Sequence, residues 1–303
     1  MRHEDRMKAT LKPRIDNWRT AFSDETTGIH KTLDDLIWQY ASFRVVIRIV
    51  YIANQRRNPD RLPLNEMVFD MIAEGYWARL LIAIRRLLDP TAIAGNRGVY
   101  SLRSVLKDIK ACGPKINRRI YVEAIWEADY DLPALEAAHW KELREAAGKP
   151  VWGDPRLMNS RLAHEHFDFL SGTTAENRSE DDHMDLRIIE RAEARVAMLD
   201  AISDHVTVHL AHSGNTTSRE GKLLDNFGMP QARECLKELK EIADLVGMWF
   251  CRASGAGLAT FVGDKFEGLD RAMIETDEIP ELEKIWREID QDVSTWRMHG
   301  NQL

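Results

Sequence analysis

The sequence lacks the features that mark secreted, disulfide-stapled and membrane-spanning proteins. Its three cysteines, Cys112, Cys235 and Cys251, are too few and too scattered for a disulfide framework or a thiolate metal site. No apolar segment follows the first residues, MRHEDRMKATLKPR, so we expect no secretory signal. The most apolar run, FRVVIRIVYIAN, is interrupted by Arg44 and Arg48 well short of a spanning length. We therefore expect a soluble protein of the reducing cytoplasm, with no membrane partner.

The sequence also lacks an excess of positive charge and any sustained alternation of polar and apolar residues. Its 42 lysines and arginines face 49 acidic residues, a formal net charge of −7. This excludes a generally basic nucleic-acid coat but leaves room for a local basic cleft. The missing period of two argues against a β-sheet, and GLATFV is the only short strand-like run.

Helical periodicity is what the sequence has in abundance. Apolar residues fall on one helical face in three long segments, at Trp77, Leu81, Ile84 and Leu88, at Leu236, Leu239, Ala243, Val246 and Phe250, and at Ile189, Val196, Leu199, Val206 and Leu210. Prolines punctuate such segments, and Asp89-Pro90 ends the first of them. The pattern predicts an all-α, multi-helix bundle of about eight to ten helices.

Two domains are expected within this helical chain. Residues 1–253 form a helical body, in which roughly the first 20 residues are an N-terminal arm. Residues 254–303 form a C-terminal loop and helical extension, because RASGAGLATFVGDKFEG separates the body from IPELEKIWREIDQDVSTW.

Two short segments, SRLAHEHFDFLSGTT and TVHLAHSGNTTS, each place Leu-Ala-His near the end of a helical run. In the second, His205, His209 and His212 follow one another at spacings of four and three, so they share one stripe of a helix. Two histidines at i and i+4 can share a metal ion, but the spacing supplies no third ligand. The E-x-x-H segment from Glu136 to His139 likewise lacks the further inward glutamates that a di-iron bundle needs. We predict neither a metal site nor a cofactor.

Four segments in a fixed order carry a resemblance to a known family. WARLLIAIRRLLDP, YSLRSVLKDIK, ISDHVTVHLAHSGNTTSR and QARECLKELKEIADLVGMWF follow one another as in AbiU2-type proteins of the HEPN superfamily, which this chain resembles over roughly residues 30 to 253. The resemblance implies a HEPN-like helical core and a role in phage defence or a toxin–antitoxin system. In catalytic HEPN proteins an arginine, four to six residues and a histidine are paired across a homodimer and cleave RNA without a metal.

The chain departs from that motif at its arginine. Counted back from His212, the expected positions hold His205, Val206 and Thr207. Formal matches occur elsewhere, at Arg161 with His166 and at Arg178 with His183. Either another helix supplies the arginine, with Arg85 and Arg86 among the candidates, or the chain has lost nuclease activity and its Ala-His segments serve packing.

The leading hypothesis is therefore a metal-independent endoribonuclease, and the alternative is a non-catalytic helical interaction protein. The predicted catalytic residues are His212 as principal base or acid, His209 as its helper, His164 and Arg161. The predicted RNA-binding residues are Arg85, Arg86, Arg191, Arg195 and His205. The copy at His164 is also compatible with a packed helix end. We expect RNA, a second copy of the chain and a cognate antitoxin or defence protein as partners.

Overall fold

The computed structural model describes residues 3–55, 65–146, 152–211, 215–253, 255–258, 263–269 and 276–295. It divides into two compact units, Met1–Leu258 and Ala259–Leu303. The first unit holds eleven of the described α-helices, and the second holds the twelfth. None of the described helices is long and apolar enough to cross a bilayer.

The all-α prediction is confirmed. The described helices are α1 His3–Ser23, α2 Ile29–Gln55, α3 Glu66–Leu87, α4 Leu102–Cys112, α5 Arg118–Ile120, α6 Leu132–Glu145, α7 Pro155–Ser171, α8 Arg187–Ala197, α9 Asp200–His205, α10 Thr216–Arg219, α11 Met229–Val246 and α12 Ile279–Thr295. Single π-helical turns follow three of them, at Tyr121–Ile125, Val206–Ala211 and Gly247–Cys251. Within the described ranges the extended pairing is limited to an isolated antiparallel bridge between Asn117 and His183. The strand-like GLATFV lies partly outside the described residues.

Polar side chains at the helix starts explain where several helices begin. The Ser101 hydroxyl accepts a hydrogen bond from the Ser104 backbone at 2.9 Å, and the Ser104 hydroxyl accepts one from the Ser101 backbone at 3.3 Å. This reciprocal capping box satisfies amides at the start of α4 that have no partner within the helix. Asp131 and Asp154 cap α6 and α7 without a reciprocal bond, each carboxylate accepting one backbone N–H, from Ala134 and from Arg156. At the other end, α7 stops at Gly172, whose φ of 71° is the left-handed conformation that glycine tolerates.

Aromatic side chains of the first unit form its core between α1, α4, α7 and the turn Gly247–Cys251. Trp18 is completely buried and meets Phe250 edge to face, with ring centroids 6.3 Å apart. Tyr121 contacts both Phe250 and Phe167 and donates its hydroxyl proton to the Trp249 carbonyl oxygen at 2.7 Å. The contacts of Phe250 and Trp249 with Trp18 and Tyr121 connect segments of the chain more than 100 residues apart, so this core depends on long-range helix packing.

Two of the three predicted apolar faces lie where the periodicity put them. Leu236, Leu239, Ala243, Val246 and Phe250 are all buried, as are Leu81, Ile84 and Leu88, while Trp77 is half-buried against the core. The third segment, whose periodicity from Ile189 to Leu210 predicts one continuous helical face, is not one helix. It breaks at Met198 and Leu199 into α8 and α9, and the π turn then rotates the following residues, so that Leu210 is 42 % exposed.

Candidate nucleic-acid interface

The histidine segment is held in an unusual backbone conformation. Helix α9 passes directly into the π turn Val206–Ala211, which contains His209. A π turn inserts an extra residue into the helical repeat, which costs stability and is found frequently at functional sites. Val206 and Val208 are buried and anchor the turn, while α3 packs against both α9 and the turn.

His205 and His209 form a stacked pair on this segment. Their ring centroids lie 4.5 Å apart with 26° between the ring planes. Nδ1 of His205 lies 3.1 Å from the carbonyl oxygen of Lys222. Because a carbonyl oxygen only accepts, Nδ1 carries the proton and, in the neutral ring, Nε2 carries the lone pair. His205 is thus oriented with a basic nitrogen directed away from Lys222.

The surroundings of His209 favour the neutral form of its ring. Burial is the main cause that lowers the pKa of His209 below its ordinary value of 6.5, and the neighbouring His205 and Arg219 lower it further. Its Nε2 is shielded from solvent and has no hydrogen-bond partner among the described residues.

Arg85 reaches the histidine segment from the neighbouring helix α3. Its Nε donates to the hydroxyl of Thr207 at 3.1 Å, and that hydroxyl donates in turn to the Ser203 carbonyl oxygen at 2.8 Å. Thr207 occupies a position where the HEPN-type motif, counted from His212, would have its arginine. The charge of Arg85 also acts on Asp89 at the end of α3: burial raises the pKa of Asp89, but hydrogen bonds from Thr91 and the charge of Arg85 outweigh it and lower that pKa.

A small cavity of about 200 Å³ opens beside this group of residues. It is lined by Trp77, Leu81, His205, Leu224 and Phe227. The rings of Trp77 and Phe227 meet edge to face with centroids 6.0 Å apart. Aromatic rings in such a cavity are side chains on which proteins stack unpaired bases, and His205 is the residue that connects this cavity to the histidine pair.

His164 and Arg161 lie elsewhere, on α7, which packs against α6 and the turn Tyr121–Ile125. His164 is 4 % exposed, and its Nε2 donates to the Tyr130 carbonyl oxygen at 3.0 Å. Burial is the first cause that lowers the pKa of His164. Arg161 forms an ion pair with Glu136 at 3.0 Å. The structure therefore gives the two Leu-Ala-His segments different surroundings, and the first is a packed helix.

The other predicted RNA-binding arginines are dispersed. Arg86 is exposed and borders a separate cavity of about 430 Å³ with Asp89 and Tyr100. Arg195 forms ion pairs with Glu238 and Glu241, whose hydrogen bonds raise the pKa of the guanidinium. Arg191 lies exposed on α8. The surroundings described for Arg86, Arg191 and Arg195 do not include the stacked histidine pair.

His212 lies outside the described residues, between Ala211 and Asn215. In the described part of the chain no group of three or more histidine, cysteine or acidic side chains could hold a metal ion. Glu136, from the E-x-x-H segment, is instead the partner of Arg161.

Several residues of this interface were missed from the sequence. Thr207 accepts the hydrogen bond from Arg85, the Lys222 carbonyl oxygen accepts one from His205, and Arg219, after burial and His205, lowers the pKa of His209. A signal for Arg219 was present, because SREGK follows the histidine segment closely, whereas Lys222 contributes its backbone carbonyl oxygen, which residue type does not reveal. The role of Thr207 depends on a contact between residues 122 apart, which no local pattern reveals.

The comparisons with known proteins agree with the resemblance seen in the sequence. The family model described as AbiU2, of the HEPN type, matches residues 12–257. The match spans α2 through α11, including the RLLDP end of α3 and the histidine segment. No curated protein and no solved structure matches the chain significantly.

Proposed function

The chain belongs to the AbiU2 family of HEPN proteins, and from that premise we propose that it is a metal-independent endoribonuclease. Family membership itself suggests a phage-defence or toxin-type role. The observation that supports catalysis is the hydrogen bond from Arg85 to Thr207. Through this bond Arg85, on the neighbouring helix α3, can take the place of the motif arginine that the histidine segment lacks in its own sequence.

The proposed reaction is an attack by the 2′-hydroxyl of RNA on the adjacent phosphate. A neutral histidine accepts the hydroxyl proton while the 2′-oxygen forms its bond to phosphorus. The 5′-oxygen of the next nucleotide leaves with a proton from a second histidine, which gives a 2′,3′-cyclic phosphate and a 5′-hydroxyl. Arg85 stabilises the added negative charge on the phosphorane-like transition state.

Three histidines are available for the two proton transfers. We assign His212 as the principal base or acid and His209 as its helper, because burial and its neighbours lower the pKa of His209 and so favour a neutral ring that can accept a proton. His205 and the aromatic cavity beside it would bind the flanking nucleotide. Arg219, next to His209, would contact a phosphate.

The assembly of this site is proposed to involve a second copy of the chain. HEPN catalysis places its motif across a homodimer, and two histidine segments facing each other would bring further cations to one RNA strand. A cognate antitoxin or defence protein would then control access to that cleft. Sedimentation velocity on the purified chain would measure the dimer directly.

One observation favours the alternative of a non-catalytic interaction protein. His164 is packed and bonded to a backbone carbonyl oxygen, which is what that hypothesis expects of an Ala-His segment. The two hypotheses differ in what they require of the second segment, because only catalysis needs His209, His212 and Arg85 to be chemically competent.

The test is cleavage of labelled total RNA in EDTA by the wild-type chain and by Arg85→Ala, His209→Ala and His212→Ala. His183→Ala and Arg233→Ala serve as matched controls, since both side chains are exposed and lie on other segments. We expect the wild type and the controls to cleave equally. Loss of Arg85 or of a catalytic histidine should reduce the rate by about 10²-fold or more. Equal inertness of all six proteins, with no retardation of RNA, would favour the interaction hypothesis.

A further inference from the structure

Helix α12 (Ile279–Thr295), in the unit Ala259–Leu303, carries an apolar face that is exposed to solvent. The residues recur at spacings of three and four, so they lie along one side of the helix. Their exposed fractions run from 43 to 66 %, at Ile279, Leu282, Ile285, Trp286 and Ile289. Trp286 is the most exposed of the five, and large apolar groups concentrated in this way mark interaction surfaces.

Both edges of this face are acidic. At about 100° per residue, Glu283 and Asp290 border the apolar stripe on one side, and Glu281 and Glu288 border it on the other. The two cations of the helix, Lys284 and Arg287, lie on the opposite side. They form loose, exposed ion pairs of 3.7 Å and 3.8 Å with Glu288 and Glu283, and such pairs contribute little free energy.

This distribution of charge limits what can cover the apolar face. An anionic lipid surface or an RNA backbone would be repelled by carboxylates on both edges. A second α12 would bring carboxylate against carboxylate in either the parallel or the antiparallel orientation, because both edges have the same sign. A complementary surface must be apolar at its centre and basic at both rims.

We propose that α12 is a docking helix for another protein, which offers an apolar groove lined on both sides by lysine and arginine. The five apolar side chains fill the groove, in the way amphipathic helices are recognised elsewhere. The carboxylates Glu281, Glu283, Glu288 and Asp290 meet the basic rims, which accelerates association and fixes the orientation of the helix. Lys284 and Arg287 remain in solvent.

The full-length chain can be tested against two synthetic probes. One is a helical peptide about four heptads long with leucine on its apolar stripe and lysine on both edges. The other is identical except that glutamate replaces each of those lysines. We expect the chain to bind the lysine-edged peptide at least about tenfold more tightly than the glutamate-edged one, with an affinity that falls as salt rises.

Variants assign the binding to the proposed face. Trp286→Ala should weaken binding of the lysine-edged peptide by about tenfold, because an aromatic anchor is lost. Arg287→Ala, on the opposite side, should leave the affinity within about twofold. Joint replacement of Glu281, Glu283, Glu288 and Asp290 by lysine should reverse the preference between the two peptides. Circular dichroism of each variant verifies that helix content is retained.

Three outcomes would overturn the proposal. Equal affinity for the two peptides would show that charge does not select the partner. Equal weakening by Trp286→Ala and Arg287→Ala would place the binding on another surface. Self-association of the wild-type chain that disappears in Trp286→Ala, with no binding of either peptide, would identify a second copy as the occupant. RNA cleavage is a separate readout, so none of these results depends on the nuclease activity.

Discussion

Replacing Arg118 by methionine should destabilise the first unit severely, because this arginine is completely buried within an ion network. Its Nη1 contacts Asp168 at 2.7 Å and the His164 carbonyl oxygen at 3.2 Å, and its Nε contacts Asp182 at 2.9 Å. Nη2 donates to the Thr173 hydroxyl at 2.5 Å. The network therefore fastens the polar segment after α7 to the helix that precedes it.

The magnitude follows from what the methionine would leave behind. Removing one partner of a buried ion pair costs about 3–5 kcal/mol, because the other charge stays buried without compensation. Here Asp168 would keep Arg178 at 2.6 Å, and Asp182 would keep the Ser179 amide at 3.0 Å. We therefore expect a loss near the lower limit, about 3 kcal/mol, which is a large part of the 5–15 kcal/mol typical of a folded domain.

Urea unfolding of the full-length chain, followed by far-UV circular dichroism, measures this loss. Arg119→Met is the matched control, because the neighbouring arginine forms a more exposed ion pair with Glu180. The control should lose about 1 kcal/mol or less. If Arg118→Met and Arg119→Met unfold at the same urea concentration with equal slopes, the buried network does not stabilise the fold as argued.

The same network predicts the direction of acid sensitivity. Burial raises the pKa of Asp168, but hydrogen bonds from Arg178 and Arg118 outweigh it and hold that pKa below its ordinary value of 3.8. A carboxyl group with a lowered folded-state pKa stabilises the fold above its unfolded-state pKa. That contribution is lost as the pH falls from about 3.8 through the lower folded-state value. The wild-type chain should therefore lose more stability than Arg118→Met over this range.

Two further predictions concern the histidine pair and the glycines. Where His209 is the group that accepts the proton, its lowered pKa places the midpoint of the acidic fall in kcat/KM for RNA below pH 6.5, and a midpoint above 6.5 would assign that proton transfer to another group. Gly28→Ala should destabilise the chain by about 1–3 kcal/mol, because the new Cβ would lie 2.4 Å from the Asp24 carbonyl oxygen. On α3, a Cβ added at Gly75 would meet no neighbouring atom, so Gly75→Ala should stabilise the chain by about 0.5–1 kcal/mol. Thermal unfolding of the two variants measures both effects. Equal shifts in their melting temperatures would contradict the steric argument.

Much of the fold could be predicted because burial in this chain follows helical periodicity. The seam from Leu236 to Phe250 is buried throughout, since α11 runs regularly into its π turn. The break between α8 and α9 could not be predicted, because no proline or glycine marks Met198 and Leu199. Periodicity reports which residues prefer burial, but it does not report where packing interrupts a helix.

The candidate interface was predictable only in part. The histidine spacing correctly suggested that His205 and His209 share a stripe, and they stack. From the sequence Arg85 was one of several candidate arginines. Its place beside the histidine segment depends on how α3 packs against α9, which the sequence does not show. His164 could not be distinguished by its sequence context, which resembles that of His212. In the structure His164 is buried and its Nε2 donates to the Tyr130 carbonyl oxygen, so it packs the helix.

The most direct test of the central claim is single-turnover cleavage of an RNA oligonucleotide and of its 2′-deoxy counterpart in EDTA, by the wild-type chain and by Arg85→Ala. The account predicts that only the RNA is cut, that its new ends are a 2′,3′-cyclic phosphate and a 5′-hydroxyl, and that Arg85→Ala is slower by about 10²-fold. Cleavage of the deoxy substrate, or an unchanged rate in Arg85→Ala, would contradict it.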